Sequence, residues 1–272
     1  MPPGRGRLEG RVALVTGAAS GMGAATSRAM VREGARVVVC DIQDALGEAL
    51  VQTLRDEGGE ASYAQLDVAR ADDWQSACQL AQALYGGVDV LVNNAGVFLG
   101  KSFEEATLAD WQRLCDVNLT GVVLGIRSLL PTLRERAAAR EHGTSAIVNL
   151  SSVAGLVGTA ADPLYSLTKG GITMLTKSLA IDFGQRAYRI RVNSVHPGTI
   201  DTAMGAQAVD VLALGASRAD TDAARRRLVR AHPLGRLGLA DDIAQAVLYL
   251  ACDDAAFVTG ASLAVDGGFT AQ

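Results

Sequence analysis

Short, strongly apolar segments alternate with helical segments along almost the whole chain, and this alternation restricts the fold more than any other feature. The segment RVALVTG at residues 11–17 predicts a buried strand, SGMGAATSRAMVREG at 20–34 a helix, and ARVVVCD at 35–41 a second strand. Strands joined through helices run parallel, and continuously apolar strands indicate a sheet covered on both faces. We therefore predict an α/β fold with a doubly wound parallel sheet.

The 272 residues are enough for one large domain, and no linker or internal repeat divides them. We expect a single domain over residues 1–272, with a short N-terminal tail at 1–7. Residues 199–235 break the alternation, because they follow a predicted strand but contain none themselves. Ligands bind at the carboxyl ends of parallel strands, and long excursions in compact domains are usually functional. We therefore predict that 199–235 forms a helical substrate-binding lid.

The charge and hydropathy of the chain argue against several classes of partner. The net charge is −4, and the densest basic cluster, Arg225–Arg227, is expected to be the solvated face of a helix. Nucleic acid is therefore not an expected partner. No apolar run approaches the ~20 residues that cross a bilayer, so no membrane contact is expected. The apolar stretch after the N-terminal arginines is too short for a secretory signal.

The cysteine usage indicates a reducing compartment. The four cysteines are Cys40, Cys78, Cys115 and Cys252. None of them form a CxxC pair, and each lies in an apolar or helical context, which favours buried free thiols over a disulfide framework or a zinc site. We expect a cytoplasmic protein that binds no metal.

The sequence TGAASGMG at residues 16–23 follows the first predicted strand and opens the first predicted helix. Glycines at 17, 21 and 23 allow a tight turn and let backbone amides approach a pyrophosphate, while the helix N-terminus supplies free N–H groups and a positive dipole end. A tight turn without a ligand is the alternative. The strand–turn–helix context favours a dinucleotide site.

Asp41 ends the second predicted strand, eighteen residues after Gly23. A carboxylate there can bind the two hydroxyls of an adenosine ribose, and it would repel the extra phosphate of NADP. No arginine or lysine lies in the glycine turn or just after Asp41, so NAD is the predicted cofactor. The alternative is that Asp41 only caps the next helix, although Asp44 could also serve there.

Two further strand ends suit the same ligand. Asp67 and Val68 end the third predicted strand, where they could contact an adenine ring. The sequence NNAG at 93–96 ends the fourth. Its asparagines can bond backbone groups and hold the strand ends apart, and its alanine and glycine leave room for a flat ring or a sugar.

Six motifs follow one another along the chain: TGxxxGxG at 16–23, NNAG at 93–96, Asn118, Ser152, YxxxK at 165–169 and PGxxxT at 197–202. In this order they resemble the motifs of the short-chain dehydrogenase/reductase family, and the resemblance extends from about residue 8 to the C-terminal AVDGG. It implies a Rossmann-like fold with a seven-stranded parallel sheet, a nicotinamide cofactor and usually a homotetramer.

Tyr165 and Lys169 are four residues apart in a predicted helix, so their side chains share a face. A free phenol titrates near 10, and a neighbouring cation favours the phenolate and lowers the pKa of the phenol. This pair therefore suits proton transfer to the oxygen of a ketone that accepts a hydride. By resemblance, Lys169 also holds the nicotinamide ribose. The alternative is a half-buried tyrosine beside an ordinary surface lysine.

Ser152 lies thirteen residues before the tyrosine, at the end of the fifth predicted strand. Its hydroxyl can donate a hydrogen bond to a substrate oxygen and polarise it. Ser151 is the neighbouring candidate, but the family motif places the catalytic serine at 152. By resemblance, Asn118 kinks the fourth helix, binds a water and extends a proton relay to Lys169. The predicted catalytic residues are thus Asn118, Ser152, Tyr165 and Lys169.

The turn HPGTIDT at 196–202 resembles the family's clamp on the nicotinamide carboxamide, with Pro197 and Gly198 fixing the turn. His196 could be a general base, but a histidine before this turn is more often structural. The predicted cofactor-binding residues are Gly17, Ser20, Gly21, Met22, Gly23, Asp41, Ile42, Asp67, Val68, Asn94, Ala95, Gly96, Tyr165, Lys169, Pro197, Gly198, Ile200 and Thr202.

The residues expected near the reacting carbon are mostly apolar, with no paired arginines to hold a carboxylate or phosphate. We therefore predict a hydrophobic secondary alcohol or ketone: a steroid, terpenoid, aryl-alkyl or cyclic ketone. Several stretches look most like bacterial hydroxysteroid dehydrogenases. The predicted substrate-binding residues are Ser152, Ala154, Leu164, Tyr165 and Met204, and Leu214 is expected nearby.

Three alternative functions agree less well with these residues. An acyl-carrier ketoreductase would usually use NADPH and carry basic residues for its carrier, and Asp41 argues against it. A non-catalytic NAD-binding sensor or scaffold would typically have lost Tyr165 or Lys169, which are both present. A metal-dependent alcohol dehydrogenase would need a cysteine and histidine ligand cluster that the sequence lacks.

Overall fold

The computed structural model describes residues 6–141, 143–159, 161–213 and 218–272. Most of the predicted tail at 1–7 and residues 214–217 of the predicted lid lie outside the described residues. The described strands are β1 (Val12–Thr16), β2 (Arg36–Asp41), β3 (Ala61–Gln65), β4 (Val90–Asn93), β5 (Ser145–Leu150), β6 (Ile190–Pro197) and β7 (Ser262–Val265).

All seven strands pair in parallel in one sheet, in the order β3-β2-β1-β4-β5-β6-β7. This confirms the predicted doubly wound, Rossmann-like architecture. The described helices are α1 (Gly21–Arg32), α2 (Asp44–Asp56), α3 (Ala71–Tyr85), α4 (Leu108–Leu114), α5 (Gly121–Ala138), α6 (Pro163–Gln185), α7 (Ala203–Leu212), α8 (Arg218–Ala231) and α9 (Ala240–Ala251).

The sheet is buried on both faces, as the apolar strands require. Successive residues of a strand point to opposite faces, so Ala13 and Val15 of β1 join one core cluster while Val12 and Leu14 join the other. The first cluster is completed by α1, α2 and α9, and the second by α3, α5 and α6. Two separate cores thus hold a three-layer sandwich together.

The helical stretch Leu108–Ala138 runs from α4 through a π-helical turn at Cys115–Thr120 into α5. Its length and hydropathy alone would suit a membrane span. However, Ile126, Leu129 and Leu133 are at most 4% exposed and pack in the second core cluster. Burial against the sheet therefore explains its apolar sequence.

The strand order places the candidate site. The chain winds from β1 outward to β3 and then restarts at β4 on the other side of β1, and ligands bind at the carboxyl ends of the strands that flank such a switch point. The glycine turn follows β1, NNAG follows β4, Ser152 follows β5 and HPG ends β6. The fold therefore brings motifs that are distant in sequence together at the carboxyl ends of the strands.

At the amino-terminal ends of the strands lies a buried ionic cluster centred on Asp89, which is 0% exposed. Its Oδ1 accepts from Nη2 of Arg140 at 2.7 Å, and its Oδ2 accepts from Nη2 of Arg136 at 2.9 Å and from the N–H of Val12 at 2.8 Å. Burial opposes ionisation, but the two guanidinium groups and the Val12 N–H outweigh it and hold the pKa of Asp89 below its usual value. The cluster therefore joins the C-terminal end of α5 to the beginnings of β1 and β4.

We expect Asp89→Asn to lower the free energy of unfolding by about 3 kcal/mol near pH 7, because two partly buried cations lose their fully buried carboxylate. A carboxyl with a lowered folded-state pKa stabilises fully above its ordinary pKa, and this contribution disappears as pH falls through the folded-state value. The difference between variant and parent should therefore shrink in acid. Urea unfolding at neutral and acidic pH measures both effects.

The matched control is Asp182→Asn, which breaks an exposed pair with Arg186 on α6. Exposed pairs contribute little, so this variant should lose less than about 0.5 kcal/mol. Equal losses in the two variants would contradict the stabilising role of the Asp89 cluster.

Candidate active site

The glycine turn joins β1 to α1 and leaves the start of that helix uncapped. The helix begins at Gly21, and the side chain of its N-cap residue Ser20 makes no capping hydrogen bond. The first backbone bond of the helix runs from Ala24 N–H to the Ser20 carbonyl, so the N–H groups before it remain available. A Cβ atom on Gly23 would overlap the carbonyl oxygen of Gly17, which explains why glycine lies beneath the turn.

The Asp41 carboxylate lies beside this turn and is 5% exposed. Its Oδ2 accepts from the N–H of Ala19 at 2.9 Å, and its Oδ1 accepts from the N–H of Gln43 at 3.1 Å. The first bond ties the glycine turn to β2. Asp41 is therefore not merely a cap of α2, whose N-cap residue is Gln43.

The two asparagines of NNAG have different partners. Asn94 Nδ2 donates to the carbonyl oxygens of Thr16 at 2.8 Å and Gly17 at 3.0 Å, which joins the ends of β4 and β1. Asn93 Nδ2 donates instead to Oδ1 of Asn149 in β5 at 2.9 Å. The Asn94 Oδ1 atom is buried and has no partner among the described residues.

These groups line a cleft of about 580 Å³, which we call the glycine-turn cleft. Gly23 lies beneath the turn, away from the wall of the cleft. The charged residues on this wall, within the described part of the chain, are Asp41, Asp67, Asp201 and Arg113. The predicted cofactor-binding residues on the wall are Gly17, Ser20, Gly21, Met22, Asp41, Ile42, Asp67, Val68, Asn94, Ala95, Gly96 and Thr202.

A second cavity of about 480 Å³, which we call the tyrosine cavity, adjoins this cleft. Met22, Thr202 and Met204 line both spaces, so the cleft and the cavity are continuous. Ser152 and Tyr165 lie on the wall of the tyrosine cavity. Three more predicted cofactor-binding residues, Pro197, Gly198 and Ile200, line this cavity and not the cleft.

Helix α6 carries Tyr165 and Lys169. Lys169 is 4% exposed, its Nζ donates to the carbonyl oxygen of Leu150 at 2.8 Å, and it lies 5.5 Å from the centre of the Tyr165 ring. A Cβ atom on Gly96 would lie 3.4 Å from this Nζ. The lysine thus joins the end of β5, NNAG and the tyrosine.

The predicted effect of Lys169 on the phenol is not found in this structure. Burial raises the pKa of Tyr165 to about 12; a hydrogen bond with Ser152 lowers it, and the charge of Asp162 raises it further. Burial also lowers the pKa of Lys169 to about 8. The physical reason is that the amine lies over the ring and bonds to Leu150, while both groups lose solvation. Tyr165 is therefore protonated at neutral pH.

The two neighbouring serines are clearly distinguished. The Ser151 hydroxyl donates to the Lys169 carbonyl at 2.9 Å and lies 3.1 Å from Thr173 Oγ1, so it fastens β5 to α6. The Ser152 hydroxyl accepts from the N–H of Ala154 at 3.1 Å and also interacts with Tyr165. Ser152 is thus the serine placed beside the phenol.

His196 is held in a structural arrangement. Its Nδ1 lies 2.9 Å from the carbonyl oxygen of Ser152 and its Nε2 lies 2.8 Å from the hydroxyl of Ser194. The ring is 0% exposed, and burial lowers its pKa. These bonds fix the backbone of Ser152, in agreement with the structural interpretation.

Asn118 lies in the π-helical turn between α4 and α5 and is fully buried. Its Oδ1 accepts from the N–H of Val97 at 2.9 Å, and its Nδ2 donates to the Val97 carbonyl at 3.0 Å and to Thr168 Oγ1 at 3.1 Å. The helix is therefore distorted where a kink was expected. The side chain connects the segment after NNAG to α6.

Asp162 is a residue of the site that sequence reasoning missed. It is 1% exposed, and its Oδ1 accepts from the N–H of Tyr165 at 2.9 Å, which caps α6. Its Oδ2 accepts from the N–H groups of Leu99 at 3.1 Å and Gly100 at 3.0 Å. One carboxylate therefore positions the tyrosine and the loop after NNAG together. The Asp–Pro pair before Tyr165 was the available signal, since aspartate often caps helices that begin with proline.

The predicted substrate residues are only partly brought together. Ala154 and Met204 line the tyrosine cavity, but Leu164 does not, because neighbouring residues of a helix point about 100° apart and Tyr165 faces the cavity. Leu214 lies outside the described residues. The unpredicted Phe98 also lines the cavity, with its ring edge-on to Tyr165 at 5.3 Å between centres.

Comparison with known proteins agrees with this geometry. Residues 17–270 match a family model described as enoyl-(acyl carrier protein) reductase. The chain is 42% identical to a 3-alpha-(or 20-beta)-hydroxysteroid dehydrogenase of Mycobacterium tuberculosis, over 98% of this chain and 92% of that protein. It is 37% identical to a cyclopentanol dehydrogenase of Comamonas testosteroni, over 98% of this chain and 100% of that protein.

A third relative is trans-4-hydroxycyclohexanecarboxylate dehydrogenase of Sinomonas cyclohexanicum, which is 37% identical over 97% of this chain and 95% of that protein. These relatives are matched along nearly their whole length and share the activity of an alcohol dehydrogenase in their names. With the sheet order, the motifs at the strand ends and the family match, they establish one conclusion. The chain is an oxidoreductase of the short-chain dehydrogenase/reductase family.

Proposed function

We propose that the protein is an NAD-dependent dehydrogenase that interconverts a hydrophobic secondary alcohol and its ketone. The observation that carries this proposal is the position of the Ser152 and Tyr165 hydroxyls on the wall of a largely apolar cavity. That cavity opens into a cleft that begins at a free helix N-terminus. A polarising donor and a proton donor therefore lie next to a site suited to a dinucleotide.

The family uses nicotinamide dinucleotides, and the cleft fits such a group. The N–H groups at the start of α1 suit a pyrophosphate, and Gly96 leaves space beside Lys169. We propose NAD over NADP because three carboxylates line the cleft and would repel a ribose phosphate. The single cation on that wall within the described residues, Arg113, belongs to α4, not to the loop after Asp41.

A bound nicotinamide would supply or accept the hydride, and residues of the chain would polarise the substrate oxygen and transfer its proton. Ser152 would donate a hydrogen bond to the carbonyl oxygen of the ketone and polarise it. Tyr165, protonated at neutral pH, would transfer its proton to the same oxygen as an alkoxide forms. In the reverse direction the phenolate would accept the proton of the alcohol.

Lys169 and Asn118 are proposed to support this transfer. Lys169 would hold the cofactor's ribose beside the tyrosine, which its place near Gly96 supports. Asn118 would carry a proton relay to Lys169 through water. Its buried bonds to Val97 and Thr168 support a positioning role, because they join the segment after NNAG to α6 beside Lys169.

The proposed substrate is a ring or ring-bearing skeleton: a steroid, terpenoid, aryl-alkyl or cyclic ketone. The apolar cavity supports this class, and cavities of about 300–1,000 Å³ suit small molecules. The relatives' names specify hydroxysteroid, cyclopentanol and hydroxycyclohexanecarboxylate. We propose that 199–235 is the lid over this substrate, since Met204, Leu212 and Leu228 line the cavity.

We further propose a cytoplasmic homotetramer. The four cysteines are free thiols, with Cys40 and Cys252 buried, which suits a reducing compartment. Helix α6 exposes Leu167, Met174 and Ile181 by 57%, 62% and 63%. Their spacing of seven residues forms one apolar stripe, which suits packing against the same helix of a second copy.

The first test is turnover of a panel of apolar cyclic ketones with NADH and with NADPH. We expect clear preference for NADH, because Asp41 disfavours the extra phosphate. Ile42→Arg, at an exposed position next to Asp41, should raise kcat/KM for NADPH at least about tenfold through a new phosphate contact.

Preference of the parent protein for NADPH would contradict the cofactor assignment and favour the acyl-carrier ketoreductase. Binding of NADH without turnover of any secondary alcohol or ketone would favour the sensor or scaffold alternative. Ile42→Lys is the conservative companion variant and should shift the preference in the same direction.

The pH profile of alcohol oxidation tests the surroundings of Tyr165. Ser152→Ala removes a bond that lowers the pKa of Tyr165, so the acidic limb should move to higher pH, with kcat reduced about 100-fold. Asp162→Asn removes an anion that raises the same pKa, so the limb should move to lower pH. Asp182→Asn, at the distant end of α6, should leave the profile unchanged. Shifts of the same sign in both site variants would contradict the proposed electrostatics.

The oligomer is tested by light scattering after size exclusion. The parent should have about four times the 28.2 kDa chain mass, and Met174→Arg should reduce it because a charge cannot be buried in an apolar interface. Leu84→Arg, on the exposed side of α3, should leave the mass unchanged. A monomeric parent would contradict the tetramer. An unaltered mass of Met174→Arg would contradict the placement of the subunit interface on α6.

A further inference from the structure

One charged side chain lines the tyrosine cavity within the described part of the chain, and it is the guanidinium of Arg227. The other wall residues are apolar, glycine or hydroxyl-bearing, and none of the described ones is a carboxylate. An arginine facing an otherwise uncharged cavity is not expected from the sequence, in which Arg225–Arg227 resembles a solvated helix face. Arg227 thus lines the same cavity as Ser152 and Tyr165.

The packing of α8 explains why Arg227 faces the cavity. Ala224 is buried against Val209 and Ala213 of the α7 segment. Residues three and four apart share a helix face, and Leu228 and Ala231 line the cavity with Arg227. Arg227 therefore lies on the side of α8 that borders the cavity, with its side chain exposed to solvent.

Its neighbours in the cluster are placed differently. Arg225 pairs with Asp201, with Nη2 and Oδ2 3.0 Å apart. Arg226 and Arg227 are both exposed, but only Arg227 lines the cavity. Arg227 makes no hydrogen bond or ion pair with any described residue, so no described carboxylate neutralises its charge.

A guanidinium is always charged at physiological pH, and its planar donors match the two oxygens of a carboxylate. In a cavity whose other groups are apolar or hydroxyl-bearing, this pairing would select one end of a substrate while the ring fills the apolar middle. We propose that the substrate carries a carboxylate on its hydrophobic skeleton, remote from the reacting carbon, and that Arg227 binds it. This proposal rests on the proposed function, whose reaction it makes more specific.

The test uses 4-substituted cyclohexanones that carry a carboxylate directly, through one methylene or through two methylenes, each compared with its methyl ester. The series varies the distance between the reacting carbonyl and the carboxylate that Arg227 would bind. We expect at least one acid to exceed its ester about tenfold in kcat/KM, the size of a charge-assisted hydrogen bond. In Arg227→Gln this preference should fall to about one, while turnover of the esters and of unsubstituted cyclohexanone is retained.

Arg226→Gln is the matched control, because it removes the same charge from an adjacent, equally exposed side chain that does not line the cavity. It should keep the preference for the acid, and Arg227→Lys should restore part of it. The proposal is overturned if no acid exceeds its ester, or if Arg226→Gln and Arg227→Gln lower the preference equally, as a general surface field would. Failure of the proposed function is separate, since it would abolish turnover of the neutral ketones as well.

Discussion

The hydrogen bond from the Lys169 amine to the carbonyl oxygen of Leu150 is the contact on which the site depends. It fastens α6 to the end of β5, where Ser152 follows, and it holds a buried amine under the tyrosine. Ser151 reinforces the same junction from the other direction by donating to the Lys169 carbonyl. The two groups proposed to act on the substrate oxygen, Ser152 and Tyr165, therefore come from different elements but share one rigid attachment.

Burial controls the chemistry of this junction more strongly than proximity does. It raises the pKa of Tyr165 to about 12 and lowers that of Lys169 to about 8, so each group is shifted toward its neutral form. A neutral phenol is the acid that ketone reduction needs at neutral pH. Asp162 strengthens this tendency while positioning the helix, and Ser152 opposes it.

The fold and the position of the site could be predicted from sequence because they depend on local patterns. Apolar strands need two covered faces, and the motifs at their carboxyl ends must then meet. Leu164 and Arg227 could not be placed in this way, because the direction of a helical side chain depends on how that helix packs. The electrostatic effect of Lys169 on Tyr165 was also wrongly predicted, since four-residue spacing gives a shared face but neither the depth of burial nor the direction of the amine.

The most direct test of the central claim, that Tyr165 is the proton donor beside an intact dinucleotide site, is single-turnover ketone reduction by Tyr165→Phe together with a fluorescence titration of NADH. The variant keeps the ring that packs on Phe98 and loses only the hydroxyl. We expect NADH affinity to stay within about twofold and the rate of hydride transfer to fall by at least about 100-fold, the usual contribution of a general acid. Rapid reduction by this variant with NADH still bound would contradict the account.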